Sequence, residues 1–220
     1  MLGEKRGQKG TGWSLFSGRK VNRLAGIWKR LAQRKGRGVP ICSVVIPAAG
    51  SSSRMEGIDK ILEPLGELPV LVRTLQVFQS CDLVHEVIVV TREDLIVPVS
   101  QLCRDFMLDK VTKVMVGGAE RVLSVRIGVQ EARRDAALIA IHDGARPLLS
   151  REVLEEVLKK AAVTGAAAPA IPMVDTIKRA ERGVVVETMD RSSLWAVQTP
   201  QVFGAALIRA AGVKAVGEEA

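Results

Sequence analysis

Short apolar runs alternate with amphipathic segments over most of the 220-residue chain, and this alternation limits the folds that the chain can adopt. Apolar runs predict strands at Cys42–Ala48, Glu86–Thr91, Lys113–Val116, Leu138–His142 and Ala166–Ile171. Segments with the helical spacing of apolar residues lie near 69–80, 98–108, 120–134 and 150–163. Ser150 is expected to cap the last of these helices. Strands that alternate with helices predict an α/β protein with a mostly parallel sheet and helices on both faces.

Basic residues are concentrated at the start of the chain. The formal net charge is +8, but residues 1–38 carry eleven Lys or Arg residues and one acid, which leaves the rest of the chain at −2. We therefore divide the chain into a basic extension, residues 1–40, predicted to be disordered, and a folded domain, residues 41–220. Three interpretations of the extension stay open: a solvated tail, an organelle transit peptide, or a segment that contacts anionic membrane or nucleic acid.

The composition argues against several classes of protein. Aromatic residues make up 3% of the chain and tyrosine is absent, so a base-stacking surface is disfavoured and no nucleic-acid partner is expected for the domain. Three separated cysteines without a CxxC pair indicate neither a disulfide framework nor a zinc site, and they favour a reducing compartment. No apolar run approaches the ~20 residues that span a membrane. We expect a cytoplasmic protein, or a plastid or other organelle protein if residues 1–38 are a transit peptide.

The first predicted strand ends in a run of small residues, Ala48–Ser53. Such a run is either a flexible turn or a backbone that a ligand must approach closely. Ligands of parallel sheets bind at the carboxyl ends of the strands, and this run lies at such an end. Free backbone N–H groups and the following cations, Arg54 and Lys60, suit a polyphosphate. The alternative is a strand-to-helix turn with surface cations.

Four motifs in this order carry a resemblance to one family. The segment Ala48-Ala49-Gly50, followed by Arg54, Met55 and Lys60, resembles the signature loop of sugar-nucleotide pyrophosphorylases and cytidylyltransferases. The other motifs are a nucleotide-side loop at 117–125, an "HDxARP" motif at 141–147, and a substrate arm with motifs at 175–178, 190–195 and 198–203. Together, residues 41 to 209 resemble the 2-C-methyl-D-erythritol 4-phosphate cytidylyltransferases of non-mevalonate isoprenoid biosynthesis.

The resemblance implies a Rossmann-like fold of the nucleotidyltransferase type with a β-arm. It implies transfer of CMP from CTP to methylerythritol phosphate with release of pyrophosphate, with Mg²⁺ as cofactor. The attacking phosphate is already an anion and needs no general base, so catalysis is mostly positioning and charge stabilisation. Arg54 and Lys60 would be the catalytic residues, because they would hold the triphosphate. The alternatives are a ribitol-phosphate-type cytidylyltransferase and a non-catalytic nucleotide-binding protein.

The resemblance also implies a set of nucleotide-binding residues. They are Pro47, Ala48, Ala49, Gly50, Ser51, Ser52, Ser53, Gly118, Arg121, Ser124, Asp143 and Gly144. The loop Ala48–Ser53 would supply backbone donors. Asp143 would meet the ribose or a metal ion and its water, and the alternative is an Asp that caps the turn before Arg146. Neighbouring His142 is interpreted as a structural residue at the strand end.

Substrate binding is assigned by the same resemblance to Arg146, Asp175, Thr176 and Arg191. Residues 172–191 are expected to form two short strands around Glu181-Arg182-Gly183, an arm through which two copies form a homodimer. Thr176 and Arg191 would then serve the partner's active site. The alternative for Arg191 is a salt bridge to Asp190 or Glu187, and Arg146 has the alternative of pairing with Asp143.

The C-terminal end departs from the family pattern. The family continues beyond the 198–203 motif with an Asn-x-Lys-Ile/Val-Thr segment, and no such segment occurs here. We therefore expect a domain that is incomplete at its C-terminus and impaired in acceptor binding. We also expect poorly covered apolar side chains along the sheet, namely those of Val202, Phe203, Leu207 and Ile208.

Overall fold

The computed structural model describes residues 14–16, 40–50 and 59–217, with side chains described for 40–50 and 59–211. Most of the predicted extension, residues 1–13 and 17–39, lies outside the described residues. So do four predicted site residues of the loop after the first strand of the domain. These four are Ser51, Ser52, Ser53 and Arg54.

Twelve strands and five α-helices are assigned within the described residues. The strands are β1 (Ser14–Phe16), β2 (Cys42–Pro47), β3 (Pro64–Leu65), β4 (Leu68–Pro69), β5 (Glu86–Thr91), β6 (Val111–Val116), β7 (Leu138–Ile141), β8 (Ala166–Pro172), β9 (Lys178–Glu181), β10 (Val184–Thr188), β11 (Trp195–Val197) and β12 (Gln201–Gly204). The α-helices are α1 (Val70–Gln79), α2 (Ile96–Asp105), α3 (Arg121–Glu131), α4 (Arg151–Thr164) and α5 (Ala205–Gly217). None of the helices in this described part of the chain is both long and apolar enough to cross a membrane.

The main sheet has the strand order β1-β8-β12-β7-β2-β5-β6, and β11 also pairs with β8. The strands β7, β2, β5 and β6 are parallel, whereas β12 runs antiparallel between β7 and β8. This mostly parallel, Rossmann-like sheet confirms the predicted fold class. All five predicted strands exist, and β5 has the predicted bounds.

Alternate residues of β2 face opposite sides of the sheet, and each side is covered by helices. Val44 and Ile46 belong to the larger apolar core, which contains buried residues of α1 and α4. Val45 belongs to the core on the other face, with residues of α3 and α5. The period of two along a strand therefore explains why β2 is apolar at every position from Val44 to Ile46.

Helix α4, on the first face of the sheet, has clear sequence signals at both ends. Ser150 accepts a hydrogen bond from the backbone N–H of Val153 at 3.3 Å, as predicted for the N-cap of α4. Gly165 ends the helix with φ of 85°, a left-handed conformation that glycine adopts without strain. Both ends follow from local sequence.

The C-terminal elements were not predicted from the sequence, and one expectation about them is wrong. Residues 201–204 form β12, and Val202 is fully buried where this strand pairs with both β7 and β8. Ile208 of α5 packs against the core on the second face, and Phe203 and Leu207 are partly buried. The expectation of poor cover is therefore wrong for Val202, because β12 inserts between two strands instead of lying at a sheet edge.

The predicted arm is an antiparallel hairpin of β9 and β10. Arg182 and Gly183 connect the strands, with φ of 49° and 81°. Two consecutive residues with positive φ are typical of the tight turn whose twist matches a hairpin. Every residue of both strands is exposed, so the hairpin projects from the body of the domain.

The chain order places a crevice at the carboxyl ends of β2 and β7. Within the sheet, β5 and β6 follow β2 in sequence and lie on one side of it, whereas β7, later in sequence, lies on the other side of β2. Loops after β2 and β7 therefore leave in opposite directions, and ligands of open α/β sheets bind at such a point.

Close packing of α3 on the sheet depends on Gly128. A Cβ atom at this position would lie 2.3 Å from Cγ1 of Val45. We expect Gly128→Ala to lower the free energy of unfolding by about 1–3 kcal/mol, although alanine favours the helix by ~1 kcal/mol. Thermal unfolding of the parent chain and the variant measures this difference in stability. Gln130→Ala, on the exposed side of the same helix, should change stability by less than ~0.5 kcal/mol.

A second variant tests whether the cause is the contact with Val45. Val45→Ala removes the γ-carbons that the new methyl group would meet, so adding it to Gly128→Ala should cost less than the sum of the two single changes. Additive losses would contradict this explanation.

Candidate functional site

A cleft of about 250 Å³ opens at the carboxyl ends of β2 and β7. All of the described residues that were predicted to bind nucleotide, together with Lys60, line this one cleft. They are Pro47, Ala48, Ala49, Gly50, Lys60, Gly118, Arg121, Ser124, Asp143 and Gly144. The cleft is also lined by Ala119, Glu120 and Ala145, which belong to the sequence motifs but were not predicted site residues, and by Asp59 and Ile61, which the sequence did not single out.

The loop after β2 is tied to the neighbouring strands. The backbone N–H of Ala48 donates to the carbonyl oxygen of Val90 at 2.7 Å, and the hydroxyl of Thr91 donates to the carbonyl oxygen of Ala48 at 3.3 Å. The N–H of Ala48 therefore serves the sheet and is not available to a ligand, which corrects one part of the predicted donor set. Ala48 contributes a small, fixed wall.

Small residues let the loop at 117–120 lie against the loop after β2. The N–H of Gly117 donates to the carbonyl oxygen of Thr91 at 2.7 Å, and a Cβ atom on Gly117 would lie 2.8 Å from Cβ of Ala49. Any larger residue at 117 would push these two walls of the cleft apart. Gly117 belongs to the motif at 117–125, and in the structure it permits this close approach.

Ser124 holds the same loop from inside the first turn of α3. Its side chain is 1% exposed, and its Oγ accepts from the N–H of Gly118 at 3.2 Å and lies 3.3 Å from the carbonyl oxygen of Glu120. Ser124 thus shapes the cleft by fixing Gly118. The sequence predicted Ser124 as a binding residue, and the geometry gives it this supporting contact.

Asp143 lies between two arginines at the mouth of the cleft. Its Oδ1 accepts from Nε and Nη2 of Arg121 at 3.0 and 2.7 Å, and its Oδ2 accepts from Nε of Arg146 at 2.9 Å. Partial burial alone would raise the pKa of Asp143, but the hydrogen bonds and charges of Arg121 and Arg146 outweigh it and lower that pKa. The carboxylate of Asp143 thus joins two guanidinium groups at this corner, where Glu120 also lines the cleft.

The described residues do not fit a magnesium site held by the protein. No group of three or more His, Cys, Asp or Glu side chains within them is placed to hold a metal ion. Both oxygens of Asp143 already accept hydrogen bonds from arginines, so a metal ion bound there would lie close to two positively charged guanidinium groups. The prediction of Asp143 as a metal ligand gains no support from this geometry.

Arg146 connects the cleft to a second cavity of about 470 Å³. Besides Asp143, it contacts Oε1 of Gln198 through Nη1, and both Arg146 and Gln198 line this cavity. Ala145 lines both cavities. A phosphate beside Arg146 would therefore lie next to the nucleotide cleft. Gln198 belongs to the 198–203 motif, but its side chain was not singled out from sequence.

His142 is a buried structural residue, as interpreted from its place in the sequence. It is 1% exposed and lies edge-on to Phe78 with ring centroids 5.2 Å apart. Nε2 lies 3.1 Å from the carbonyl oxygen of Arg146, which can only accept, so Nε2 carries the proton. Nδ1 then accepts from the hydroxyl of Thr199 at 2.9 Å. Both nitrogens have partners, and burial lowers the pKa of His142 to about 4.

The arm residues do not belong to this cleft. Among the described residues, Asp175, Thr176 and Arg191 are absent from the lining of both cavities. Nη1 of Arg191 donates to the carbonyl oxygen of Val174 at 2.8 Å, a backbone contact in place of the alternative salt bridge. Asp190 accepts from the N–H of Ser192 at 3.0 Å and caps the short turn that contains Arg191.

Comparisons with known proteins point to one family. The family model described as IspD, 2-C-methyl-D-erythritol 4-phosphate cytidylyltransferase, matches residues 42–220. The chain is 44% identical over 178 residues to a relative of that name from Halalkalibacterium halodurans, covering 80% of this chain and 78% of the relative. It is 47% identical over 178 residues to the relative from Symbiobacterium thermophilum, covering 80% of this chain and 73% of the relative.

Solved structures are also similar to this chain. One is a 4-diphosphocytidyl-2C-methyl-D-erythritol synthase from Anaerococcus prevotii, with a TM-score of 0.70 and 27% identity, covering 81% of this chain and 76% of that chain. Another is the 2-C-methyl-D-erythritol 4-phosphate cytidylyltransferase from Thermus thermophilus, with a TM-score of 0.65 and 32% identity, covering 80% of this chain and 77% of that chain.

The lowered pKa of His142 predicts a dependence of stability on pH. Between pH 6.5 and about 4 the unfolded chain binds a proton that the folded protein does not, so stability falls as the pH falls through this window. The loss attributable to His142 should reach about 3 kcal/mol. Urea unfolding from pH 7 to pH 4 measures it.

Two variants control this measurement. His142→Asn removes the titrating ring, so its stability should fall less between pH 7 and pH 4. Thr199→Val keeps the buried ring and should retain most of the dependence, because burial is the main cause of the shift. Equal slopes for the parent chain and His142→Asn would show that the ring does not resist protonation.

Proposed function

Because the chain belongs to the 2-C-methyl-D-erythritol 4-phosphate cytidylyltransferase family of CTP-dependent nucleotidyltransferases, we propose that its cleft is the site of CMP transfer from CTP to 2-C-methyl-D-erythritol 4-phosphate. One observation carries this assignment to the cleft. The described nucleotide-binding residues predicted by family resemblance, which come from three separate motifs, line a single cavity at the crevice of the sheet.

The reaction forms one bond and breaks one bond at the α-phosphorus of CTP. A phosphate oxygen of the acceptor attacks, the bond to the β-phosphate breaks, and pyrophosphate leaves with the electron pair. The acceptor oxygen is already an anion, so no side chain needs to remove a proton. The residues of the cleft act by holding the reacting groups in line and by stabilising negative charge.

Lys60 is the described cation best placed to stabilise the departing pyrophosphate. It lies on the cleft wall beside the loop after β2. Arg54 is proposed for the same task on the resemblance alone, since it lies outside the described residues. Charge-assisted contacts from lysine and arginine strengthen as charge accumulates on the leaving group.

The walls at 48–50 and 117–120 support recognition of a nucleotide. The close approach of Gly117 to Ala49 and the bond between Ser124 and Gly118 fix these walls before a ligand arrives. A fixed site loses little freedom on binding. Arg121 and Arg146 share Asp143, and their guanidinium groups would donate hydrogen bonds to a phosphate group at this corner.

Magnesium is proposed to arrive with the nucleotide. Mg²⁺ commonly binds substrate phosphates and keeps several waters, with only one or two carboxylates from the protein. That mode agrees with the lack of a three-ligand cluster in the described part of the chain. The ion would neutralise phosphate charge, while Lys60 and the arginines orient the triphosphate.

A homodimer through the arm at 172–191 is part of the proposal. Isolated two-stranded hairpins are marginally stable in water, and this one exposes Val184, Val185 and Val186 at 66%, 57% and 47%. A second copy that covers these valines would stabilise the arm. Asp175, Thr176 and Arg191 would then contribute to the partner's cleft, which agrees with their absence from the lining described here.

A reducing compartment such as the cytoplasm is proposed for this reaction. Cys42, Cys81 and Cys103 are all free, and burial raises the pKa of the Cys42 thiol to about 12. Unreactive free thiols suit such a compartment.

Pyrophosphate release tests the proposed reaction directly. The purified chain with CTP, Mg²⁺ and methylerythritol phosphate should release pyrophosphate, and replacing CTP by ATP or the acceptor by ribitol phosphate should reduce the rate strongly. Equal rates with ribitol phosphate would favour the second acceptor class. Binding of CTP without release with either acceptor would favour a non-catalytic nucleotide-binding protein.

Lys60→Gln should reduce kcat by on the order of 10²–10³, because it removes a preorganised charge that acts most strongly in the transition state. The KM for CTP should change much less. Steady-state pyrophosphate release measures both. Lys159→Gln removes an exposed lysine of α4 that pairs with Glu155 and should leave both constants unchanged. A rise in KM with unchanged kcat would contradict the transition-state role.

Val185→Lys should convert the proposed dimer to monomer, since it places a charge in the covered face of the arm. Sedimentation equilibrium measures the change. Val163→Lys, at a valine of α4 that is 55% exposed, is the matched control and should leave the mass unchanged. A monomeric parent chain would contradict the dimer.

Complementation tests whether the arm serves the partner's cleft. Lys60→Gln and Arg191→Ala should each be nearly inactive, but mixed dimers contain one cleft with both native residues. Mixing the two proteins should therefore restore part of the activity. No recovery, with subunit exchange verified, would show that Arg191 acts within its own chain.

A further inference from the structure

Arg92 forms a cluster of charges at the carboxyl end of β5. Its Nη2 contacts Oδ2 of Asp59 at 2.5 Å and Oδ2 of Asp94 at 3.0 Å, and its Nε donates to Oδ1 of Asp94 at 3.1 Å. The two bonds to Asp94 fix the plane of the guanidinium group. The remaining contact joins β5 to Asp59, which is the residue before Lys60.

The backbone on the Arg92 side is held firmly. Thr91, the preceding residue, is fully buried, and its carbonyl oxygen accepts from the N–H of Gly117. Its hydroxyl donates to the carbonyl oxygen of Ala48. Arg92 therefore follows a residue, Thr91, that is hydrogen-bonded to both walls of the cleft, at Gly117 and at Ala48.

The turn around Lys60 is held on both sides. The carbonyl oxygen of Asp59 accepts from the N–H groups of Leu62 and Glu63 at 2.9 and 3.1 Å. Ile61 is 6% exposed, and its carbonyl oxygen accepts from the N–H of Leu71 at 2.9 Å. After Lys60 the chain is anchored by burial, and before Lys60 it is anchored by the ion pair with Arg92.

We propose that Arg92 is a positioning residue for Lys60: through its ion pair with Asp59 it fixes the turn that presents the lysine to the cleft. The inference rests on the proposed role of Lys60. Among the described residues Asp59 and Lys60 line the cleft and Arg92 does not, so Arg92 acts through Asp59. The Arg92 and Asp59 side chains are 32% and 22% exposed, so water screens this pair less than a fully exposed one.

Four variants test the role in catalysis. Arg92→Met and Asp59→Asn should each lower kcat by about 10-fold with a smaller change in KM, since misplacing a reacting group by ~1 Å costs up to 10²-fold. The double variant should be no worse than either single one, because both remove the same interaction. Arg92→Lys keeps the charge and should recover most of the rate.

The same variants separate positioning from direct phosphate binding. If Arg92 bound the triphosphate itself, Asp59→Asn would release it and tighten CTP binding, in contrast to Arg92→Met. A positioning role predicts that both variants act in the same direction. Arg133→Met is the matched control, because Arg133 forms a comparable ion pair with exposed Asp135 at 2.9 Å and is absent from the cleft lining. It should leave kcat unchanged.

Amide hydrogen exchange tests whether the ion pair stabilises the turn around Lys60, and it needs no assay of activity. Exchange at the amides of Leu62 and Glu63 should be faster in Arg92→Met and in Asp59→Asn, and unchanged in Arg133→Met. Unchanged exchange in the first two variants would overturn the inference. If the parent chain is active, an unchanged kcat in Arg92→Met would also overturn the inference. If the parent chain is inactive but exchange is faster in the two variants, the result would count against the proposed function alone.

Discussion

Steric contact between three loops is the constraint on which the rest of this site depends. The loops after β2, β6 and β7 converge at one crevice, and a Cβ atom on Gly117 would lie 2.8 Å from Ala49 while one on Gly144 would lie 3.1 Å from Ala48. Small side chains at these positions let the loops touch, so that backbone and a few polar groups form the walls. Larger residues would separate the loops and open the cleft.

The charged side chains around the cleft form ion pairs that join different elements. Asp143 joins Arg121, from the start of α3, to Arg146, from the loop after β7. Arg92 joins the end of β5 to Asp59 in the same way. Each pair ties together charged side chains from different elements, which suits a reaction that needs positioned positive charge more than proton transfer.

Local patterns in the sequence were sufficient for β2, β5, β6, β7 and β8 and for helices α1 to α4, because apolar periodicity and caps such as Ser150 act over a few residues. The same patterns missed β12, because its residues were considered only as part of a motif and its burial depends on pairing with both β7 and β8. The expected exposure of Val202 was wrong for this reason. Asp59 and Arg92 were also missed, although Arg92 directly follows a predicted strand, the position where ligand-site residues of parallel sheets lie.

The fold class, the family resemblance and the residue types of the cleft can all be predicted from the amino-acid sequence, because they depend on periodicity and on motifs that are short and contiguous. The partners of the polar groups are known from the folded structure alone: the N–H of Ala48 donates to β5, Ser124 supports Gly118, and Asp143 is bound by two arginines. These contacts join residues from different strands and loops. Their partners depend on strand order and distance in space, which spacing along the chain does not contain.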